Sequence, residues 1–540
     1  MEQPKEQNYL HGAAILTFGV IIMKILGAIY KIPLGNILDD DGYAYFYASY
    51  SVYNVFLTLA TAGLPVALSR MIAEAYEQGR PLQARRTYRV AWVTFLIIGT
   101  ISALIMFLFP RELAEFLGRK EAAKSIYAMS PGILFVCVMS AYRGYCQGHK
   151  NMTPTTIGQV LEVLAKVAVG LILALIVVNR GASMEDACAG AVFGVTVGGF
   201  VALMYMVVYK KRHYSNEVAA NPDKPDSPWK ILKNLLIIGI PITIGASGMS
   251  LMSFIDTKFV NDRLQDAAGF SGFDSAVLFG VFGKAQTLYN LPAAFVTPLV
   301  ISIVPAIAAY MARGDSRSAG RIAEDSLRIT LDIAMPMGIG LAVLSYPIMS
   351  VVYPGSHESG PVLLAMMGLA SFFVCFTLVQ NAILQAHGNE KLTIISILVG
   401  GVIKVAVDWY LVAIPEINIY GAPIGTILCY FVMAAMNFCF IRSRYEYKPK
   451  LSKIVIKPLI SSVLMGVSAW GVYELVMMAM GEATRMRMAL GMAAAIVVAV
   501  VVYVLAVVKT GAITARDMKL IPKGEKIGRL LGMDMEAADD

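Results

Sequence analysis

Residues 147–169 read QGHKNMTPTTIGQVLEVLAKVAV, and residues 385–407 read QAHGNEKLTIISILVGGVIKVAV. At a constant offset of 238, nine of the 23 positions are identical, from Gln147/Gln385 and His149/His387 to Lys166/Lys404. A weaker echo, at offset 235, pairs Ile72, Ala73 and Gly79 with Ile307, Ala308 and Gly314. Each strong copy runs from a polar turn into a long apolar segment, and these segments rank fifth and eleventh along the chain. Equal rank six segments apart means that the repeats run parallel, as two six-helix lobes related by an axis along the membrane normal.

Working outward, fourteen such segments fill the chain, near 11–34, 43–69, 88–110, 122–145, 154–178, 186–209, 231–259, 275–304, 326–353, 361–386, 392–414, 419–441, 455–479 and 487–508. Each is long enough to cross a hydrocarbon core of about 30 Å. The chain is 57% hydrophobic and only 15% charged, where a soluble domain carries about 25% charged residues. The fold class expected is an all-α integral membrane protein of 14 transmembrane helices. Its organisation is an N-terminal six-helix lobe (1–209), a cytoplasmic polar linker (210–230), a C-terminal six-helix lobe (231–441), two extra transmembrane helices (442–508) and a cytoplasmic tail (509–540). The first apolar segment is long enough to be kept as a span and lacks a basic region before it, unlike a cleaved signal.

The net charge of +8 points to topology, not to nucleic acid. Arg80, Arg85, Arg86 and Arg89, then Lys210, Lys211 and Arg212, then Arg313, Arg317 and Arg321, then Arg442 to Lys457, fall in alternate loops. That bias puts both termini in the cytoplasm. One loop, with Arg111, Arg119, Lys120 and Lys124, is discordant. Asp39-Asp40-Asp41 reads as a solvated acidic turn on the outer side. No inside loop carries GxxxxGK[ST], so a nucleotide-driven pump is excluded. The six cysteines form no CxxC pair and read as buried free thiols; no metal and no cofactor is expected.

Charges inside spans are costly, about 2.5–3.5 kcal/mol for a lysine or arginine at a helix centre, so they are expected to face a polar cavity or a partner. Lys24 and Lys31 lie seven apart on the first span and share one face. Arg70 ends the second span and Lys284 lies in the eighth. Together these four are the candidate anion-binding residues, although Lys31 and Arg70 could equally snorkel to opposite interfaces. Lys166 and Lys404 each have an acid one turn away, Glu162 and Asp408, which suggests i,i+4 ion pairs. Asp256 and Glu474 could couple to a cation or serve as structural pairs. Pro33, Pro65, Pro241, Pro292, Pro298 and Pro305 interrupt spans, as happens where backbone lines a cavity. The aromatic run Tyr43, Tyr45, Phe46, Tyr47, Tyr50 and Tyr53 reads either as an interfacial belt or as a platform for sugar.

The stretch from Ile25 through Tyr30, Lys31 and Pro33 to Leu34, then Asp41-Gly42, Tyr45, Tyr53-Asn54 and Ala62-Gly63-Leu64-Pro65-Val66-Ala67-Leu68-Ser69, resembles the opening of the polysaccharide-transport branch of the multidrug/oligosaccharidyl-lipid/polysaccharide exporter superfamily. Within that branch it is similar to SpoVB-like and Gram-positive MurJ-like proteins. Gly283-Lys284-Ala-Gln-Thr287-Leu-Tyr-Asn-Leu-Pro292 fits as well, and the resemblance covers essentially the whole chain. It implies 14 helices, two lobes around a cavity, alternating access, and cavity cations that hold the pyrophosphate of a lipid-linked sugar. The last two helices would form a groove for the lipid tail. The family's first cation falls on Lys24. Its other arginine positions fall on Tyr30, with Lys31 beside it, on Leu57, and on Thr287, with Lys284 one turn away. The arginine triad of the Gram-negative branch is therefore absent.

The function expected is a non-enzymatic flippase that carries an undecaprenyl-pyrophosphate-linked cell-wall precursor, such as lipid II, from the inner to the outer leaflet of a bacterial cell membrane. Its partners would be that glycolipid, membrane lipids and a coupling cation. A cation-coupled multidrug exporter of the same superfamily is the alternative, disfavoured by lysines where that function needs acids. A membrane glycosyltransferase or polymerase, with Asp39-Asp40-Asp41 as its acid site, would require a larger outer domain.

Overall fold

A computed structural model describes residues 9–214, 223–481 and 484–512. Helices are the only regular secondary structure among the described residues, with no strand. Twelve of the described helices are long and apolar enough to cross a membrane. Contacts divide the chain into two compact units. The first takes the described parts of Met1–Lys284 together with Gly401–Gly425; the second takes Ala285–Gly400 and the described parts of Thr426–Asp540.

The first unit opens with α1 (Tyr9–Ile37), α2 (Asp39–Thr61) and α3 (Leu64–Glu77). The second expected span is thus two helices. Their junction is fixed by close packing: a Cβ on Gly63 would lie 2.0 Å from the carbonyl oxygen of Gly239, so only glycine fits. The Gly63 amide, released from helical bonding, donates to Thr243 Oγ1 at 3.1 Å, and Pro65 stands in the first turn of α3, where its missing N–H costs nothing. Asp39, Asp40 and Asp41 correct the sequence reading of a solvated outer turn. They form the first turn of α2, where their charge complements the helix dipole.

The unit continues with α4 (Pro81–Leu108), the short α5 (Pro110–Phe116), α6 (Ala123–Gly148), α7 (Thr153–Asn179) and α8 (Met184–His213). Ser183 caps α8 by accepting from the Asp186 amide at 3.3 Å. Acids follow in its first turn and Lys210, Lys211, Arg212 and His213 occupy its last, so sequence alone marks both ends. Small residues bring α7 and α8 together: a Cβ on Gly194 would lie 2.5 Å from the Lys166 carbonyl oxygen. The polar linker is anchored at its described end. Asp223 accepts from the amides of Leu82 (2.8 Å) and Gln83 (2.9 Å), closing the N-terminus of α4. Then come α9 (Pro228–Ala246) and α10 (Gly248–Ile255), which continues through two wider, π-wound segments at Asp256–Val260 and Arg263–Ala267.

The eighth expected span is also divided, into α11 (Gly272–Tyr289) and α12 (Leu291–Ala312), again just before a proline, Pro292. The second unit then holds α13 (Ser316–Val343) and α14 (Ser345–Val352), which split the ninth span, followed by α15 (Gly360–Ala386). α16 (Glu390–Leu411) and α17 (Gly421–Arg444) lend Gly401–Gly425 to the first unit. α18 (Leu451–Met480) and α19 (Arg485–Thr510) are the two helices beyond the repeat. The C-terminus of α19 is closed by cations: Lys457 Nζ donates to Gly511 O at 3.0 Å and the Arg328 guanidinium to Ala512 O, as an unsatisfied carbonyl end requires. The tail beyond Ala512 lies outside the described residues.

The sequence repeat is also a repeat of backbone. Lys150 and Gly388, equivalent at offset 238, both take left-handed φ values, 57° and 76°. The turn bonds correspond as well: Asn151 N–H to Cys146 O at 3.1 Å, Asn389 N–H to Leu384 O at 2.9 Å. His149 packs at a steep angle against Tyr214 and His387 against Tyr445, with interplanar angles of 58° and 68° and centroids 4.8 Å apart in each case. The weaker echo holds too, with Gly79 and Gly314 both left-handed.

Candidate functional site

α1, α2, α7 and α8 enclose a cavity of about 250 Å³ within the first unit. α1 contributes Gly27, Tyr30 and Lys31; α2 contributes Tyr50, Tyr53, Asn54 and Leu57; α7 contributes Glu162 and Lys166. Helical spacing puts Lys24, Gly27 and Lys31 on one face of α1. Nothing lies within 4 Å of where a Gly27 Cβ would stand, so the wall is open there. The Tyr30 hydroxyl donates to Ala191 O at 3.0 Å and fixes α1 against α8.

Lys31 and Lys166 form no ion pair among the described residues. Their ammonium groups lie 5.8 Å from the Tyr50 ring and 5.5 Å from the Tyr30 ring, contacts of modest strength at that range. The acid expected to pair with Lys166 is held elsewhere: Glu162 Oε2 accepts from Arg143 Nη2 at 2.7 Å. Counting Lys31, Lys166, Arg143 and Glu162, the cluster keeps two formal positive charges. Poorly hydrated positive charge between tyrosines and an asparagine suits an anion with several oxygen acceptors.

The remaining candidates are dispersed. Lys24 is exposed, two turns before Lys31 on α1, and Arg70 is exposed on α3. Lys284 is buried and its ammonium donates to Asp40 Oδ1 at 2.5 Å. Lys404 is fully buried, 2.6 Å from Asp256 and 3.5 Å from Asp408. Glu474, half-buried on α18, makes no ion pair among the described residues.

Three contributors escape a reading of the sequence. Arg143 lies in an apolar stretch beside no acid, and its partner is 19 residues away. Asp40 meets Lys284 across 244 residues. Asn54 carries no signal beyond its place in the opening motif. The tyrosine run divides: Tyr43 and Phe46 are buried in packing, whereas Tyr50 and Tyr53 line the cavity. The six cysteines are unpaired, five of them buried. Among the described residues no His, Cys, Asp and Glu group is placed to hold a metal.

The chain is 27% identical over 482 residues to the lipid II flippase MurJ of Bacillus subtilis (strain 168), covering 85% of this chain and 87% of that protein. It is 24% identical over 494 residues to stage V sporulation protein B of the same organism, covering 88% and 92%. Among solved structures it matches a lipid II flippase MurJ in an inward closed conformation, with a TM-score of 0.65 at 14% identity over 92% of this chain and 98% of that one. An inward-facing multidrug resistance MATE family transporter of the MOP superfamily gives a TM-score of 0.64 at 15% identity, over 80% and 98%. Together these establish the fold as that of multi-pass transporters of this superfamily. The family model for polysaccharide biosynthesis protein matches residues 9–311, more than half of the chain, and the chain belongs to that family.

Proposed function

We propose that this protein is a flippase for an undecaprenyl-pyrophosphate-linked cell-wall precursor, lipid II or a related lipid-linked oligosaccharide. Lys31 and Lys166 hold the diphosphate, and Lys24 stands on the approach along α1. The observation that carries this reading is the cavity in which both lysines stand without an acid partner among the described residues while Arg143 occupies Glu162. Two ammonium groups can replace the hydration that a diphosphate loses inside a membrane. Tyr50, Tyr53 and Asn54 offer stacking faces and an amide to the first sugar. No bond is made or broken; the headgroup crosses by alternating access while the tail stays in lipid. The residence proposed is a bacterial cell membrane with both termini cytoplasmic, on the alternation of basic loops. An organic cation, the cargo of the alternative drug exporter, would be repelled by the same lysines.

The test is outer-leaflet exposure of lipid II in cells depleted of their own flippase and expressing this chain. Restoration by the parent, with at least tenfold loss in Lys31→Ala and Lys166→Ala at equal membrane expression, is expected. Restoration that survives both substitutions would remove the diphosphate role from these lysines. No restoration by a well-expressed parent would remove lipid II as cargo.

A further inference from the structure

The loop between α5 and α6 carries basic residues against the charge rule that orders the other loops. Three of them are exposed: Arg111, Lys120 and Lys124, the last in a surface pair with Asp186 at 2.6 Å. Arg119 is different, at 2% exposure. Its Nε donates to Asn261 Oδ1, its Nη1 to Gly272 O and its Nη2 to Ser275 Oγ, each at 2.8 Å. Asn261 and Ser275 are themselves 0% exposed. Donors also run the other way. Asn261 Nδ2 donates to Leu117 O at 3.2 Å and Gln265 Nε2 to Gly118 O at 3.1 Å, which satisfies carbonyls left open where α5 ends. The Lys258 ammonium lies 4.6 Å from the centre of the Phe116 ring.

All of these contacts join residues 116–119 to residues 258–275. Both stretches lie in the first compact unit, yet the sequence repeat puts them in different halves of the chain, before and after the linker. The acceptors of Arg119 are an amide, a backbone carbonyl and a hydroxyl, and no carboxylate pairs with it among the described residues. A guanidinium withdrawn from water is repaid in full only by a counter-ion and complete hydrogen bonding. Neutral acceptors fix its direction, but they leave the bonded and the rehydrated states close in free energy. Such a contact positions two elements and can let them go. Asn261, its central acceptor, stands between the π-wound segments Asp256–Val260 and Arg263–Ala267, a winding that recurs at functional sites.

We propose that Arg119 is a releasable bolt on the outer side of the membrane. In this conformation it fastens the end of α5 to Asn261 and to the first turn of α11. The outer side opens only when the guanidinium leaves these acceptors for water. The bolt accounts for an arginine on the side where the charge rule expects few: it is held there by what it binds, not by topology. Its part in transport rests on the flippase reading above, through alternating access; the bolt itself needs no cargo.

The experiment is double electron–electron resonance on the full chain in nanodiscs, with Cys439, the exposed cysteine, replaced by serine. Spin labels at the exposed positions Lys120→Cys and Asp266→Cys span the bolt; labels at Arg111→Cys and Lys120→Cys stay on one side of it. The parent should show mainly a short distance across the bolt. Ser275→Ala removes one acceptor and should raise the longer-distance population at least about threefold, and Arg119→Gln should raise it further. The one-sided pair should not change. Equal populations in the parent and both variants would overturn the proposal, as would a one-sided pair that broadens with the spanning pair, since that is local unfolding. Release of the bolt in a chain that restores no outer-leaflet lipid II would leave the bolt standing and discard the flippase reading.

Discussion

Arg143 determines the charge that the cavity presents, although it does not line it. By holding Glu162 at 2.7 Å it keeps a carboxylate from neutralising Lys166, one turn away on the same helix. Arg143→Ala should release Glu162 toward Lys166 and reduce the effective positive charge of the cavity. It should also remove a charge-assisted hydrogen bond, costing about 1.5–3 kcal/mol. Glu162→Gln removes the acid instead and should tighten anion binding. Titration of inorganic pyrophosphate by calorimetry checks both: affinity should fall for the first variant and rise for the second, and equal affinities would deny Arg143 this part. At this scale the sequence was half legible. A lysine in an apolar run is visible by its cost, as Lys24, Lys31, Lys166 and Lys284 are, but the spacing of Lys166 from Glu162 suggests an ion pair and not a place beside Lys31. Which acid answers which base was not visible, since i,i+4 spacing suggested Glu162–Lys166 and nothing local pointed to Arg143.

Between elements, the ion pair of Lys284 with Asp40 ties α11 to the first turn of α2. The two side chains are 4% and 11% exposed, so removing one partner leaves a charge buried without its counter-ion, at a cost of about 3–5 kcal/mol. Lys284→Met and Asp40→Asn should each lower thermal stability in detergent by that order. The double variant should recover much of the loss, because two neutral groups no longer carry an orphaned charge. Additive losses would mean that the pair contributes little. Such a pair also keeps Lys284 from any anion until α2 and α11 part. Prolines mark only some of the breaks: Pro65 and Pro292 stand in the first turn of a new helix, whereas Pro33 and Pro241, which read equally as interruptions, lie inside unbroken ones. The contact that fixes the first break, Gly63 against the Gly239 carbonyl, was not readable: a glycine needed for close approach looks in sequence like any other in an apolar helix.

Across the whole molecule the repeat gave two equivalent lysines, and the structure gives them opposite environments. Lys166 faces a cavity, and its acid stands one turn before it, tied to Arg143. Lys404 is sealed, its acid stands one turn after it, and Asp256 supplies a second. The acids do not correspond across the repeat: the position equivalent to Glu162 is Gly400, and that equivalent to Asp408 is Gly170. Duplication therefore preserved the turn, the histidine and the lysine, while the surrounding charges diverged into a cavity wall and a buried cluster. Sequence identity between the copies could reveal common descent but not this division, which depends on burial. Methionine at each position separates the two roles. Lys166→Met removes a half-buried cation with no ion-pair partner among the described residues, so stability should change by no more than about 1 kcal/mol while flipping is lost. Lys404→Met leaves two buried carboxylates without a cation and should cost about 3–5 kcal/mol, recovered in part at low pH, where both acids are protonated. Thermal unfolding across pH, set beside lipid II exposure for the same variants, measures this directly. Equal stability losses at the two positions, or a Lys404→Met loss that acid does not relieve, would return both lysines to a single structural role.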